Sequence, residues 1–212
     1  MTRVVVDAMG GDEPPEVVLE GIARALEADQ DLEVLVAGDE DKVAPFCAKH
    51  SRAEALVTTE VIGMAEHPTE AVRKKRDSSI VRGCRAVREG KADAFFSAGS
   101  TGAILTAGTL VVGRVKGVGR AALASALPGI GGRMTTLIDL GANADCPPEM
   151  LVQFAHMACA YARVVVGVPN PRVALLNNGT EETKGSEATL AAHAALAAAD
   201  GLDFAGNCEG RD

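Results

Sequence analysis

Tryptophan is absent from this chain, and aromatic residues fill only 3% of its 212 positions. Its core must be built from Val, Leu, Ile and Ala, and a stacking platform for single-stranded nucleic acid, which needs aromatic faces, is not expected. Positive charge is also in short supply: 21 Lys and Arg stand against 29 Asp and Glu, a formal net charge of −8. That balance argues against general binding to DNA, RNA or an anionic membrane surface. The five cysteines, at 47, 84, 146, 159 and 208, include no C-x-x-C pair. With no secretory leader ahead of Val4, reduced thiols and a cytoplasmic location are expected. The four histidines, at 50, 67, 156 and 193, show no metal-ligand spacing, so no metal is expected. His156 and His193 lie in Ala-rich helical stretches and read as structural. No apolar run approaches the roughly 18 residues of a membrane span. Neither a G-x-x-x-x-G-K-[ST] loop nor a G-x-G-x-x-G fingerprint occurs, which counts against a nucleotide triphosphatase and ordinary dinucleotide binding, and no cofactor is expected.

What the chain does have is a repeated ending. Six apolar runs each stop in a small polar loop rich in Gly, Asp, Asn or Ser. The loops begin at Asp7, Gly38, Ser97, Asp139, Asn177 and Gly206. Short strands that end this way and feed helices predict an α/β fold: a three-layer open, mainly parallel sheet with helices on both faces. Ligands of such sheets sit outside the carboxyl ends of the strands, and glycine-rich backbone at helix N-termini suits anions. The six loops therefore point to one cleft that handles phosphate. At this length the whole chain, 1–212, reads as a single domain.

Along the chain, Asp12 before Pro14-Pro15 predicts a capped helix, with Val18, Leu19, Ile22, Ala23 and Leu26 at helical spacing. Strands are predicted at 32–37, 55–62, 94–97, 173–176 and 202–205, and helices near 40–50, 69–91, 102–112, 148–163 and 183–199. Residues 119–138 read as two strands joined by the turn at Pro128–Gly132.

Candidate site residues lie in the loops. Gly10, Gly11 and Asp12, following Asp7, suit close approach of a ligand to backbone amides, or form a plain βα turn with Asp12 as helix cap. Ser97, Gly99, Ser100, Thr101 and Gly102 add hydroxyls that suit phosphate or an oxyanion. Between Glu70 and Lys91 stand eight basic residues, among them Lys75, against three acids. This stretch is either a solvated face or a docking and entry surface for an acidic partner or anionic substrate. Lys184 at a Gly-rich strand end is either an ordinary surface lysine or a neutraliser of phosphate and developing negative charge. Asp139, Asn143, Asn207, Glu209, Arg211 and Asp212 bring further polar groups to the strand ends. Nothing here demands a covalent nucleophile.

In this order, the loops resemble those of the bacterial phosphate acyltransferases of the PlsX family. The resemblance rests on Val5 through Asp12, Pro68 through Ser79 (PTEAVRKKRDSS), Ser97 through Ala103, Leu137 through Cys146 (LIDLGANADC), Leu175 through Glu187 (LLNNGTEETKGSE) and Gly206 through Asp212. Together these cover essentially the whole chain, and six motifs in register are far more specific than any one. The resemblance implies transfer of a fatty acyl group from acyl carrier protein to inorganic phosphate, giving acyl phosphate for phospholipid synthesis. It also implies a fold akin to isocitrate and isopropylmalate dehydrogenases, a homodimer, and a cytoplasmic location peripheral to the membrane near a membrane-bound glycerol-phosphate acyltransferase. Under it, Lys184 is the electrostatic stabiliser, and Asn143 and Asn207 orient substrate. Three departures stand out: Ser100 where the family has Asn, Ala121 after Arg120 where it has Pro, and the lack of the family's portion beyond Asp212. The last of these makes the chain read as truncated.

Two rivals follow. One is a carrier-protein- and phosphate-binding fragment without turnover. The other is a metal- and NAD-dependent dehydrogenase of related fold, disfavoured because the acids are spread over separate loops.

Overall fold

The computed structural model describes residues 1–211. They fall into two compact units, Met1–Val115 and Lys116 onward. In the first, β1 (Thr2–Asp7), β2 (Leu32–Gly38), β3 (Ala53–Val57) and β4 (Ala94–Phe96) form a parallel sheet in the order β3-β2-β1-β4. Side chains alternate between its faces. Val6, Val34 and Val36 pack with Ile22 and Leu26 of α1 (Glu16–Ala28) and Val43 of α2 (Glu40–Cys47). Val5, Leu35 and Ala37 pack on the opposite side with Ala86 of α4 (Ser79–Arg88). Burial on both faces is why these strands read as unbroken apolar runs. A further cluster joins α3 (Pro68–Lys74), α4 and α5 (Thr101–Ala107) through Ala71, Val72, Ile80, Val81, Ala103 and Ala107. Each Val, Leu or Ile side chain among them contributes about 1.5–3 kcal/mol when fully buried, and each Ala methyl about 0.8 kcal/mol.

The second unit holds an antiparallel pair, β5 (Ala124–Pro128) and β6 (Met134–Ile138), and a parallel pair, β7 (Arg172–Leu176) and β8 (Asp203–Cys208). Helix α6 (Pro148–Tyr161) buries Phe154, Ala155 and Cys159, and α7 (Glu187–Ala197) buries Ala192 and Leu196. The two helices pack on each other.

The α/β architecture and its parallel sheet are as the sequence predicts, but several particulars differ. Among the described residues the strands do not join one sheet: the short Pro128–Gly132 turn restricts β5 and β6 to antiparallel pairing. Asp12 is exposed and does not cap α1, which begins at Glu16 with Pro15 in the N-cap position. The basic helix expected over 69–91 is broken at Lys75–Ser78. Lys75 leaves helical geometry, the Asp77 amide donates to Glu60, and Ser78 caps α4 by accepting from the Val81 amide. The strand expected over 55–62 ends at Val57, because the Thr59 amide and hydroxyl both donate to Asp77. The Thr59 hydroxyl and Arg82 hold the Asp77 carboxyl below its ordinary range. Helices α5 and α6 each run on into a wider π-type turn, over Gly108–Val112 and Ala162–Val166.

Candidate functional site

Because β1, β2 and β4 run parallel, the loops after them all leave one edge of the first unit's sheet. Asp7, the last residue of β1, is only 2% exposed. Its Oδ1 accepts from the Met9 amide at 3.0 Å and its Oδ2 from the Ser97 hydroxyl at 2.7 Å. Ser97 Oγ in turn accepts from the Gly99 amide at 3.0 Å. Gly10 lies in the middle of this clasp. A Cβ there would stand 2.8 Å from Asp7 Oδ2 and the Gly99 nitrogen, so only glycine fits.

The structure thus brings Asp7, Gly10, Ser97 and Gly99 together as the stitching between two loops. Asp12 and Thr101 stay exposed on those same loops. Ser100, nearly buried, caps α5 by accepting from the Ala103 amide, and Gly102 lies against the Pro68 ring of α3. Lys75 is engaged elsewhere: its ammonium donates to Glu66 Oε1 at 2.6 Å and to the Val61 carbonyl at 2.7 Å. The hydrogen bond from Lys75, with another from the Gly63 amide, holds the Glu66 carboxyl below its ordinary range.

In the second unit Asp139 follows β6 and ties down its own loop. Oδ1 accepts from the Leu123 and Ala142 amides at 2.9 and 3.2 Å. Oδ2 accepts from the Asn143 amide and from Asn143 Nδ2 at 2.8 and 2.9 Å. Burial pushes this carboxyl up, but the hydrogen bonds from Asn143, Leu123 and Ala142 outweigh it and hold the pKa down. Asn143 Nδ2 also donates to the Ala121 carbonyl at 3.0 Å, so Asn143 and Asp139 form one knot.

A second knot lies at the carboxyl ends of β7 and β8. The Lys184 amide donates to the Glu181 carbonyl at 3.1 Å, and the Lys184 carbonyl accepts from Asn177 Nδ2 at 3.0 Å. The Glu181 carbonyl also accepts from Asn207 Nδ2 at 2.9 Å. Lys184 itself is exposed, with its backbone held on both sides. Arg211, 82% exposed, pairs with Glu209 at 2.5 Å. Asp212, counted with this loop in the sequence, lies outside the described residues. His193, read from its Ala-rich surroundings as structural, joins this knot through Asn207, which spacing along α7 does not reveal. No group of three or more His, Cys, Asp or Glu placed to hold a metal occurs among the described residues.

The sequence profile of a family described as "Fatty acid synthesis protein" matches residues 2–212. Among curated relatives, "Phosphate acyltransferase" of Ligilactobacillus salivarius (strain UCC118) is 48% identical over 214 residues, covering 100% of this chain and 64% of the relative. The protein of the same name from Limosilactobacillus fermentum (strain NBRC 3956 / LMG 18251) is 50% identical over 211 residues, covering 98% and 61%. The chain thus spans somewhat less than two thirds of these relatives' length. Two solved structures share the fold. An "EutD phosphotransacetylase from Staphylococcus aureus" superposes with a TM-score of 0.62 at 22% identity, over 92% of this chain and 64% of that one. A "branched-chain phosphotransacylase from Enterococcus faecalis V583" gives 0.62 at 17% identity, over 98% and 68%.

Proposed function

This chain belongs to the fatty acid synthesis protein family, and from that premise we propose that it carries phosphate acyltransferase chemistry. A fatty acyl group passes from acyl carrier protein to inorganic phosphate, and the acyl phosphate formed feeds phospholipid synthesis. The relatives' shared name supports this reading. The structural observation that carries it is the Lys184 turn, an exposed ammonium on a backbone fixed at both its N–H and its C=O.

Phosphate already presents nucleophilic oxygens at neutral pH, so the reaction needs no base to create them. An oxygen attacks the thioester carbon, a C–O bond forms, the C–S bond breaks and the carrier leaves as thiolate. The protein's task is to hold two anionic reactants together and to stabilise the tetrahedral oxyanion between them. Lys184 supplies that charge. Within the first unit, amides of the loops at Gly11 and at Ser100–Gly102 suit an anion, and within the second Arg211 adds positive charge. The Asp7–Ser97 clasp and the Asp139–Asn143 knot shape their loops. The exposed basic residues of α3 and α4 receive the acidic carrier.

The same proposal counts the two units as one acyltransferase domain with kinship of fold to isocitrate and isopropylmalate dehydrogenases. It includes a homodimer, cytoplasmic and peripheral to the membrane beside a membrane-bound glycerol-phosphate acyltransferase. No helix among the described residues is long and apolar enough to cross a membrane.

The test is acyl phosphate formation from acyl carrier protein thioester and phosphate. Lys184→Ala is expected to lower the rate by about 100-fold, the usual effect of removing one oxyanion-stabilising group. Turnover equal to the unsubstituted chain's removes Lys184 from the mechanism. Carrier and phosphate binding without turnover in the unsubstituted chain favours the binding-only alternative.

A further inference from the structure

We infer that His193 is a positioning residue for Lys184, acting through the side-chain amide of Asn207. The inference rests on the reading of Lys184 given above and extends it to a residue on another element. His193 is the sole polar side chain in the run Leu190–Ala199. Its ring meets Phe204 of β8 edge-on, with centroids 5.0 Å apart and planes at 75°. Contact with one aromatic neighbour fixes where the imidazole nitrogens point.

His193 Nδ1 lies 3.0 Å from Asn207 Oδ1. The Asn207 NH₂ group donates to the Glu181 carbonyl, so it is the amide oxygen that faces the imidazole. That oxygen only accepts, and Nδ1 therefore carries a proton in this contact. The same Glu181 carbonyl accepts from the Lys184 amide. Four links thus run in series from α7 to the Lys184 turn: Nδ1–H to Asn207, Asn207 to Glu181, Lys184 to Glu181, and Asn177 to the Lys184 carbonyl. A bulge in β8, between the pairs Val173–Phe204 and Leu175–Asn207, lies immediately before Asn207. Bulges beside functional sites re-aim a side chain in this way.

An asparagine amide is nearly symmetric in shape, and its orientation is set by the groups around it. Without the Nδ1–H donor, the Asn207 oxygen loses its partner. The amide is then held at one end only, by its bond to Glu181, and that anchor of the Lys184 turn loosens. Displacements on the order of 1 Å cost up to about 100-fold in rate.

The experiment compares His193→Ala, His193→Gln and His193→Asn in the acyl phosphate assay and in thermal unfolding. An asparagine side chain places its amide nitrogen where Nδ1 stands, whereas glutamine places it one bond further out, where Nε2 stands. His193→Asn is expected to keep most of kcat, while the Gln and Ala variants lose about 10- to 100-fold with KM nearly unchanged. Glutamine is the better helix former, so a purely structural role for His193 predicts the reverse order of Gln and Asn. Equal activity of the Gln and Asn variants overturns the inference, as does an Nε2-protonated tautomer seen by ¹⁵N NMR of the His193 ring. If the unsubstituted chain forms no acyl phosphate, the acyltransfer reading has failed, and amide hydrogen exchange at Lys184 decides this one. Faster exchange in His193→Ala but not in His193→Asn supports it, and exchange unchanged in both overturns it.

Discussion

Four N–H groups converge on the Asp139 carboxylate, and they come from both sides of the chain's turn. Two belong to Asn143, one to Ala142 and one to Leu123, sixteen residues upstream. Replacement by Asn keeps the shape but offers one acceptor oxygen and an NH₂ group facing donors. Asp139→Asn is therefore expected to cost about 1.5–3 kcal/mol, the range for hydrogen bonds to a charged group. Urea unfolding measures this. The folded-state pKa of Asp139 is depressed, so its stabilisation is fully present above the ordinary aspartate value of 3.8 and is lost as pH falls through the lower folded value. Asp139→Asn is expected to flatten that part of the acid-unfolding profile. At this scale the sequence shows which residue types gather at strand ends, and not which atoms they bind. Asp139 and Asn143 stand out as polar in LIDLGANADC, but the Leu123 amide that completes the knot carries no mark in the chain.

At the scale of elements, α4 lies close against β4 because Gly83 has no side chain. A Cβ at Gly83 would come within 2.3 Å of the Phe95 ring. Ala in place of Gly gains about 1 kcal/mol of helix propensity, but overpacking a filled core costs about 1–3 kcal/mol. With a clash this short, Gly83→Ala is expected to lower the melting temperature, and thermal unfolding of the chain checks the sign. The rhythm of strand, loop and helix is legible because apolar runs and helical spacing are local properties. The break between α3 and α4 is not, since eight basic residues carry the helical pattern straight across it. What draws the backbone out there is distant in sequence: Val61 and Glu66 take Lys75, and Glu60 takes the Asp77 amide. The early end of β3 has the same origin in Thr59 and Asp77. Only the Asp77-Ser78 pair hints at it, as residues that favour helix starts.

For the whole molecule, charge is the property with reach. The chain carries −8 overall, yet its 70–91 stretch is net positive. Some of those cations are engaged: Lys74 with Glu70, Lys75 with Glu66, Arg82 with Asp77 and Lys91 with Glu89. Arg73 and Arg76 are exposed and make no ion pair among the described residues. If this face receives an acidic carrier, Arg73→Glu with Arg76→Glu is expected to slow association by roughly tenfold at low salt and much less at high salt. Stopped-flow binding at two ionic strengths makes the comparison, and a salt-independent effect excludes electrostatic docking here. The sequence shows the positive run but not which members remain available, because their partners lie on loops and turns that only the fold assembles.

The clasp of Asp7, Ser97 and Gly99 couples segments ninety residues apart, the hinge of one serving as the latch of the other. Neither loop can swing open alone without stranding a buried carboxylate, so any guest that settles on one will still the other as well.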